Sequence, residues 1–311
     1  MTSEFFLGDA IEVGNGVIKL FNDVPVICFE SLNFFGFFCE VDLILSGVGL
    51  FASGVNEFLH ERERLFLRSV SASNYRNSWF AGRVLAKSVW FQLNQKYLNQ
   101  KKLNQNQNQN QNYLDQNYFN QSCGGDIYVD VCKKNFFADL TYNRLCIISR
   151  DSLNRVVSPV LFIDGAALDC SFSISHIDSH VVVFFAKGVY WRVGCDLVEP
   201  DAVTDNMQQL FYNKDEIDSI HNPNKKPSIQ FHKERIWSVK ETAFKILGGD
   251  RSFKPEQWST EYIENGCYKC KDANSPNQKS INIRTIIAKN KIIAIGIDKK
   301  ISKGNFYTAR T

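Results

Sequence analysis

Three short segments carry side chains able to act together. Ser173-Ile-Ser-His176 places two hydroxyls and an imidazole at the end of one apolar run, and Gly194-Cys-Asp-Leu-Val-Glu199 ends another on acidic residues. Trp237-Ser-Val-Lys-Glu-Thr-Ala-Phe-Lys245 spaces Glu241 and Lys245 four apart, so in a helix they share a face. Singly, each has an ordinary explanation: a strand-end histidine, a turn aspartate, and a surface ion pair contributing about 0.3–0.5 kcal/mol. Together, Asp196 and Glu241 are oxygen ligands of the kind Mg2+ takes when it keeps several waters and uses substrate phosphate for its other positions. Lys240, Lys245 and His176 are then placed to neutralise the remaining phosphate charge. The pair in Cys267-Tyr-Lys-Cys270 could begin a zinc site, but structural zinc takes four ligands and no second pair follows, so plain thiols in a turn are expected.

The elements that must position these groups can be read from periodicity. Short strands are expected between residues 10 and 50, including Ile18–Phe21 and Val41–Leu45. From Trp79 the apolar spacing predicts an amphipathic helix with Arg83 and Lys87 one turn apart. Residues 94–121 are dominated by asparagine and glutamine, alternating without interruption from Asn104 to Asn112. Such a tract buries too little apolar area to offset its ordering entropy, and a flexible insertion is predicted. Order is expected again at Ile127. Strands are predicted at 145–148, 160–163, 171–176, 181–186 and 189–197, with a tight turn at 177–180. Asp201 is expected to cap a helix through Val203, Met207 and Leu210. The 222–227 loop precedes a helix from about 233 to 247, stopped by Gly248-Gly249, and 281–297 alternates as one or two strands. Strands and helices in both halves give an α+β fold of two subdomains, 1–165 and 166–311, joined near residue 165.

Composition narrows the partners. Thirty-six basic residues against 33 acidic leave a net charge of only +3, so no bulk field points to nucleic acid or an anionic membrane. A polyanionic ligand must be met by a local basic site. No uncharged stretch reaches the roughly 18 residues of a membrane span, and no basic n-region precedes the first apolar residues. Nine scattered cysteines do not form a secreted disulfide scaffold, and a reducing cytoplasm is expected.

The ordered trio of Ser-Ile-Ser-His, Gly-Cys-Asp-Leu and Trp-Ser-x-Lys-Glu-x-x-x-Lys resembles the signature of the 4′-phosphopantetheinyl transferase superfamily, in its larger monomeric class that activates surfactin and enterobactin synthetases. The upstream stretch Arg76-Asn-Ser-Trp-Phe-Ala-Gly-Arg83-Val-Leu-Ala-Lys87 is similar to that family's basic helix, and the match covers roughly residues 60–93 and 145–260. The resemblance implies two similar α+β halves with coenzyme A in the cleft between them. It implies Mg2+ held by Asp196 and Glu241, and coenzyme A phosphates met by Arg76, Arg83, Lys87, Ser175, His176, Lys240 and Lys245. It implies an apo carrier protein, acyl, polyketide or peptidyl, as partner in secondary metabolism or siderophore assembly, with no nucleic acid or membrane. Asp196, Glu241 and Lys245 become the catalytic residues, the carrier serine attacks the β-phosphate, and 3′,5′-ADP leaves.

Two departures bear on the site. The family usually shows Gly-x-Asp-x-Glu, whereas Val198 stands two past Asp196 and the acid comes one later, at Glu199; strand alternation turns Glu199 to the opposite face unless a bulge intervenes. Ser158-Pro159 also replaces the usual Gly-Lys-Pro or Gly-Arg-Pro. The competing expectation is a degenerate relative that binds coenzyme A or a carrier without transfer.

Overall fold

A computed structural model describes residues 17–20, 24–31, 34–48, 58–107, 144–150, 156–168, 170–186, 190–222, 229–248, 252–274 and 279–299. Residues 108–121 of the Asn/Gln tract, the expected start of order at Ile127, and most of the 222–227 loop lie outside them.

Among the described residues, two five-stranded sheets organise the fold, and every pairing in them is antiparallel. The first contains β1 (Val17–Leu20), β2 (Val24–Ser31), β3 (Phe34–Glu40), β8 (His180–Ala186) and β7 (Ser171–His176), in that order. The second runs β10 (Trp258–Glu264), β11 (Cys267–Asp272), β12 (Ser280–Ala288), β13 (Lys291–Lys299) and β9 (Trp191–Val198). A small sheet joins β4 (Leu145–Arg150), β5 (Val156–Ile163) and β6 (Ala166–Ala167). Among the described residues the α-helices are α1 (Val41–Val48), α2 (Glu61–Ser69), α3 (Ser73–Gln107), α4 (Asp205–Phe211), α5 (Lys214–His221) and α6 (His232–Leu247). The α+β expectation therefore holds.

Side-chain alternation explains how the layers stack. In β3, Phe35, Phe37 and Cys39 join a core with α1 and α3, while Phe34 and Phe38 point to the second sheet. Likewise in β8, Val181, Val183 and Phe185 face the helices, and Val182, Phe184 and Ala186 face the second sheet. Both faces are covered, which is why His180–Ala186 is buried throughout and reads as a continuous apolar run rather than an alternating one. Val193, Cys195 and Leu197 of β9, with Ile293 and Ile295 of β13, supply the opposing face. Beyond the second sheet lies α6, whose Ile236, Val239, Ala243 and Ile246 stripe packs on Tyr268, Ile283 and Ala294. The order of layers is helix, sheet, sheet, helix, with each large buried apolar side chain contributing about 1.5–3 kcal/mol.

Several expectations change. Val41–Leu45 is helical, not extended: Val41, Ile44 and Leu45 are the buried positions, a 3–4 spacing, and Asp42 sits in the first turn where the helix dipole favours an acid. Helix α3 continues to Gln107, into the tract read as a flexible insertion from residue 94. Once its packed first turns are anchored, each added residue brings one more backbone hydrogen bond, and Gln, Lys and Leu form helix well. Thr204, not Asp201, caps α4, its side chain accepting from Met207 N–H; Asp201 sits in the left-handed region at φ 62°. Cys267 and Cys270 are free thiols three positions apart in β11, hence on opposite faces, and no metal-binding group of three or more His, Cys, Asp or Glu is present among the described residues. The change of sheet falls between Ala186 and Trp191, so β7 and β8, beyond the expected join near 165, pair into the first sheet. Among the described residues no helix is long and apolar enough to cross a membrane.

Candidate functional site

Asp196 lies on the α6-facing side of β9, between Gly194 and Val198 in the alternation. Little space separates strand and helix there: a Cβ on Gly194 would come within 2.7 Å of Thr242 O and of the Ile246 side chain. Glycine lets α6 settle directly on β9. One turn of α6 then delivers Glu241 and Lys245 beside Asp196. Lys245 Nζ lies 2.9 Å from Asp196 Oδ1 and 3.8 Å from Glu241 Oε2, and donates to Cys195 O at 2.8 Å. Trp237 Nε1–H donates to Glu241 Oε1 at 3.1 Å, which assigns the first residue of the third motif the task of orienting that carboxyl. Asp196 is buried, which alone would raise its pKa, but the Lys245 ammonium outweighs burial and holds the carboxyl below the usual range. Glu241 moves the other way. Burial and the Asp196 charge push it up to about 8, against the pull of Lys245.

A pocket of about 180 Å³ is lined by Arg83, His176 and Lys245 with Tyr75, Trp79 and Phe244. Arg83 lies 3.6 Å over the Trp79 ring and donates to Ser149 Oγ at 2.9 Å. His176 Nδ1 is 2.9 Å from Ser78 Oγ, and Tyr75 meets the imidazole edge-on. Burial, then Arg83 and Lys245, lower His176 to about 4, so the ring is neutral at pH 7. The pocket thus offers two cations, a neutral imidazole and an aromatic wall. Ser158 and Pro159 also line it.

Other expected site residues lie elsewhere. Lys87 is fully buried, bound to Glu63 at 2.5 Å and to Phe58 O at 2.8 Å, while Glu63 also accepts Ile147 N–H; it ties α3 to α2 and cannot reach a phosphate. Lys240 is fully buried on another face of α6, held by Glu216 at 2.7 Å and Phe211 O at 2.8 Å beside the Tyr212 ring. Both are internal ion pairs of the kind whose acid would be left uncompensated without its partner. Arg76 is exposed on α3 and is not a pocket-lining residue. Ser175 and His176, adjacent in β7, point to opposite faces, so only His176 lines the pocket while Ser175 turns to Asp196. Glu199 points away, bound by Lys291 at 3.1 Å and Ser179 Oγ at 3.3 Å. The β9–β13 register is unbroken from Trp191 to Val198, so no bulge turns Glu199 inward.

Asp196, Glu241, Lys245, Arg83 and His176 therefore converge, while Lys87, Lys240 and Glu199 do not. The pocket's Ser149 and Phe244 were not anticipated: Ser149 stands in no motif, and Phe244 fills an unspecified position of the third. Ser173 and Ser175 carried a signal, two hydroxyls at a strand's period of two, which identifies a shared face. No protein-family model matches the chain, and a search of curated proteins found no match.

Proposed function

We propose that the chain is a 4′-phosphopantetheinyl transferase acting on coenzyme A and an apo carrier protein. The observation that carries the reading is Lys245, which contacts both Asp196 and Glu241 and also lines the pocket shared with Arg83 and His176. Acids for a metal and bases for phosphate thus meet at one cleft. Two five-stranded sheets, each packed on a long helix, support the reading of two related halves, with β7 and β8 assigned to the first.

The donor set fits Mg2+. Asp196 and Glu241 supply hard carboxylate oxygens beside one ammonium; burial and then the Asp196 charge push Glu241 up, and a divalent cation held by the two carboxyls would offset the second of these. These two residues would hold the ion, which when bound neutralises charge on the transferring phosphoryl group and the pyrophosphate. The protein's own groups do the rest. Arg83 and Lys245 neutralise phosphate oxygens, and His176 supplies a neutral imidazole hydrogen bond. The carrier serine oxygen bonds to the β-phosphorus, the bond from that phosphorus to the bridging oxygen breaks, and 3′,5′-ADP departs with the bridging electrons. Glu241, oriented by Trp237, accepts the serine proton. Positioning and charge supply most of the acceleration, with no covalent role for the protein.

Two observations favour a second reading, binding without transfer: Val198 occupies the face where a third acid is usual, and Lys245 already engages Asp196. Incubating the protein with coenzyme A, Mg2+ and an apo carrier, then weighing the carrier, separates the two. Transfer adds about 340 Da, the mass of the group moved. Asp196→Ala and Glu241→Ala each abolish that gain while circular dichroism stays unchanged. Coenzyme A binding with no mass gain on acyl, polyketide and peptidyl carriers identifies the degenerate relative, and neither binding nor gain overturns both.

A further inference from the structure

Strand β9 is the last strand of the second sheet, so alternate N–H and C=O groups face away from β13. Those of Cys195 and Leu197 do so, yet both residues are buried, at 0% and 4% exposure. A buried N–H without an acceptor is destabilising by more than a typical hydrogen bond contributes. Here the acceptors are side chains. Cys195 N–H donates to Ser173 Oγ at 3.1 Å, and Leu197 N–H donates to Ser175 Oγ at 3.2 Å. Because strand side chains repeat every two residues, Ser173 and Ser175 share the face of β7 that meets β9, and their spacing matches that of the outward N–H groups.

Ser175 does one thing more. Its hydroxyl, accepting from Leu197, has its proton free to donate, and it does so to Asp196 Oδ1 at 3.0 Å. Lys245 binds the same oxygen and the Cys195 carbonyl. The Asp196 carboxyl is thus fixed from the first sheet by Ser175 and from α6 by Lys245.

We propose that Ser173 and Ser175 form a side-chain joint coupling the two sheets, and that Ser175 is the positioning residue of the Asp196 carboxyl. Only the role given to Asp196 rests on the transferase reading; the joint does not. Serine suits the task because its one hydroxyl both accepts and donates at short reach. Alanine does neither, and threonine keeps the group. Ser173 lies in the same ladder without touching Asp196, so it provides the comparison.

Amide hydrogen exchange on the full chain reads the joint. Ser175→Ala accelerates exchange at Leu197 by about fivefold to tenfold, and Ser173→Ala does the same at Cys195, each losing one net hydrogen bond. Ser175→Thr restores protection at Leu197, and keeps the test alive should the alanine variant fail to fold. Mg2+ affinity by calorimetry, with Mg2+ alone as the probe, reads the positioning role: Ser175→Ala weakens it about fivefold, while Ser173→Ala and Ser175→Thr do not. Unchanged exchange at both amides overturns the joint. Faster exchange at Leu197 with unchanged Mg2+ affinity overturns the positioning role. If the wild-type chain binds no Mg2+ but exchange responds as stated, the joint stands and the metal reading falls.

Discussion

Lys240 and Lys245 stand on one helix, and their environments differ. Five positions are about 140° around an α-helix, enough to turn Lys240 to Glu216 and Lys245 to Asp196. The sequence showed Glu241 and Lys245 sharing a face because a four-residue spacing requires it, but nothing local shows that Glu216, on the preceding helix, waits for Lys240. The two lysines should therefore respond differently. Lys240→Ala is expected to lower unfolding free energy by about 3–5 kcal/mol in urea titrations, since it strands a buried carboxylate. Lys245→Ala is expected to act chiefly on kcat/KM for coenzyme A. Titration follows the same logic. Glu241 is raised from 4.5 to about 8, so the native state holds a proton the unfolded chain releases. Its contribution is full below pH 4.5 and is lost as pH rises towards 8. His176 is lowered from 6.5 to about 4, so its contribution is present above 6.5 and is lost as pH falls towards 4. Stability measured across pH 4–8 should accordingly lose its alkaline decline in Glu241→Gln and part of its acid decline in His176→Gln; unchanged slopes would exclude these residues as the source.

Elements were legible where one rule governed them. Strand alternation in β9 put Asp196 and Val198 on one face and Glu199 on the other, and the unbroken register with β13 preserves that phase. Glu199→Gln is therefore expected to leave Mg2+ dependence nearly unchanged, whereas Val198→Glu adds a carboxylate beside Asp196 and tightens Mg2+ binding. A calorimetric titration of both variants checks this, and a large loss in Glu199→Gln would mean the strand slips in solution. Where two periodicities coexisted, the reading failed. Val41, Leu43 and Leu45 alternate like a strand, yet Val41, Ile44 and Leu45 also fit a helix, and packing against α3 favours the latter. The Asn/Gln alternation misled differently: composition reports that a segment cannot hold itself in place, but not that a packed helix before it will extend into it.

At the scale of the whole molecule, the mixture of helices and strands was legible but not where one sheet gives way to the other, because strand order is set by contacts far apart in sequence. β3 lies beside β8, with Glu40 opposite His180, and no local pattern shows which strand a distant run will join. A chain ended at residue 165, the boundary the sequence favours, lacks β7 and β8 and leaves the aromatic edge of Phe34–Glu40 without its partner. It is expected in the insoluble fraction after expression to a greater extent than the full chain; a soluble, folded 1–165 fragment would show that the first sheet closes without them. The same pairing sets a clock for biosynthesis. At about 5–20 residues per second, a ribosome that has made Glu40 needs about 7–28 s to make His180. Throughout that interval a Phe-Phe-Gly-Phe-Phe-Cys-Glu edge waits unpaired, the kind of segment that holding chaperones bind. The recovery of folded protein should therefore track the pace of translation between those two strands more closely than the stability of the finished molecule.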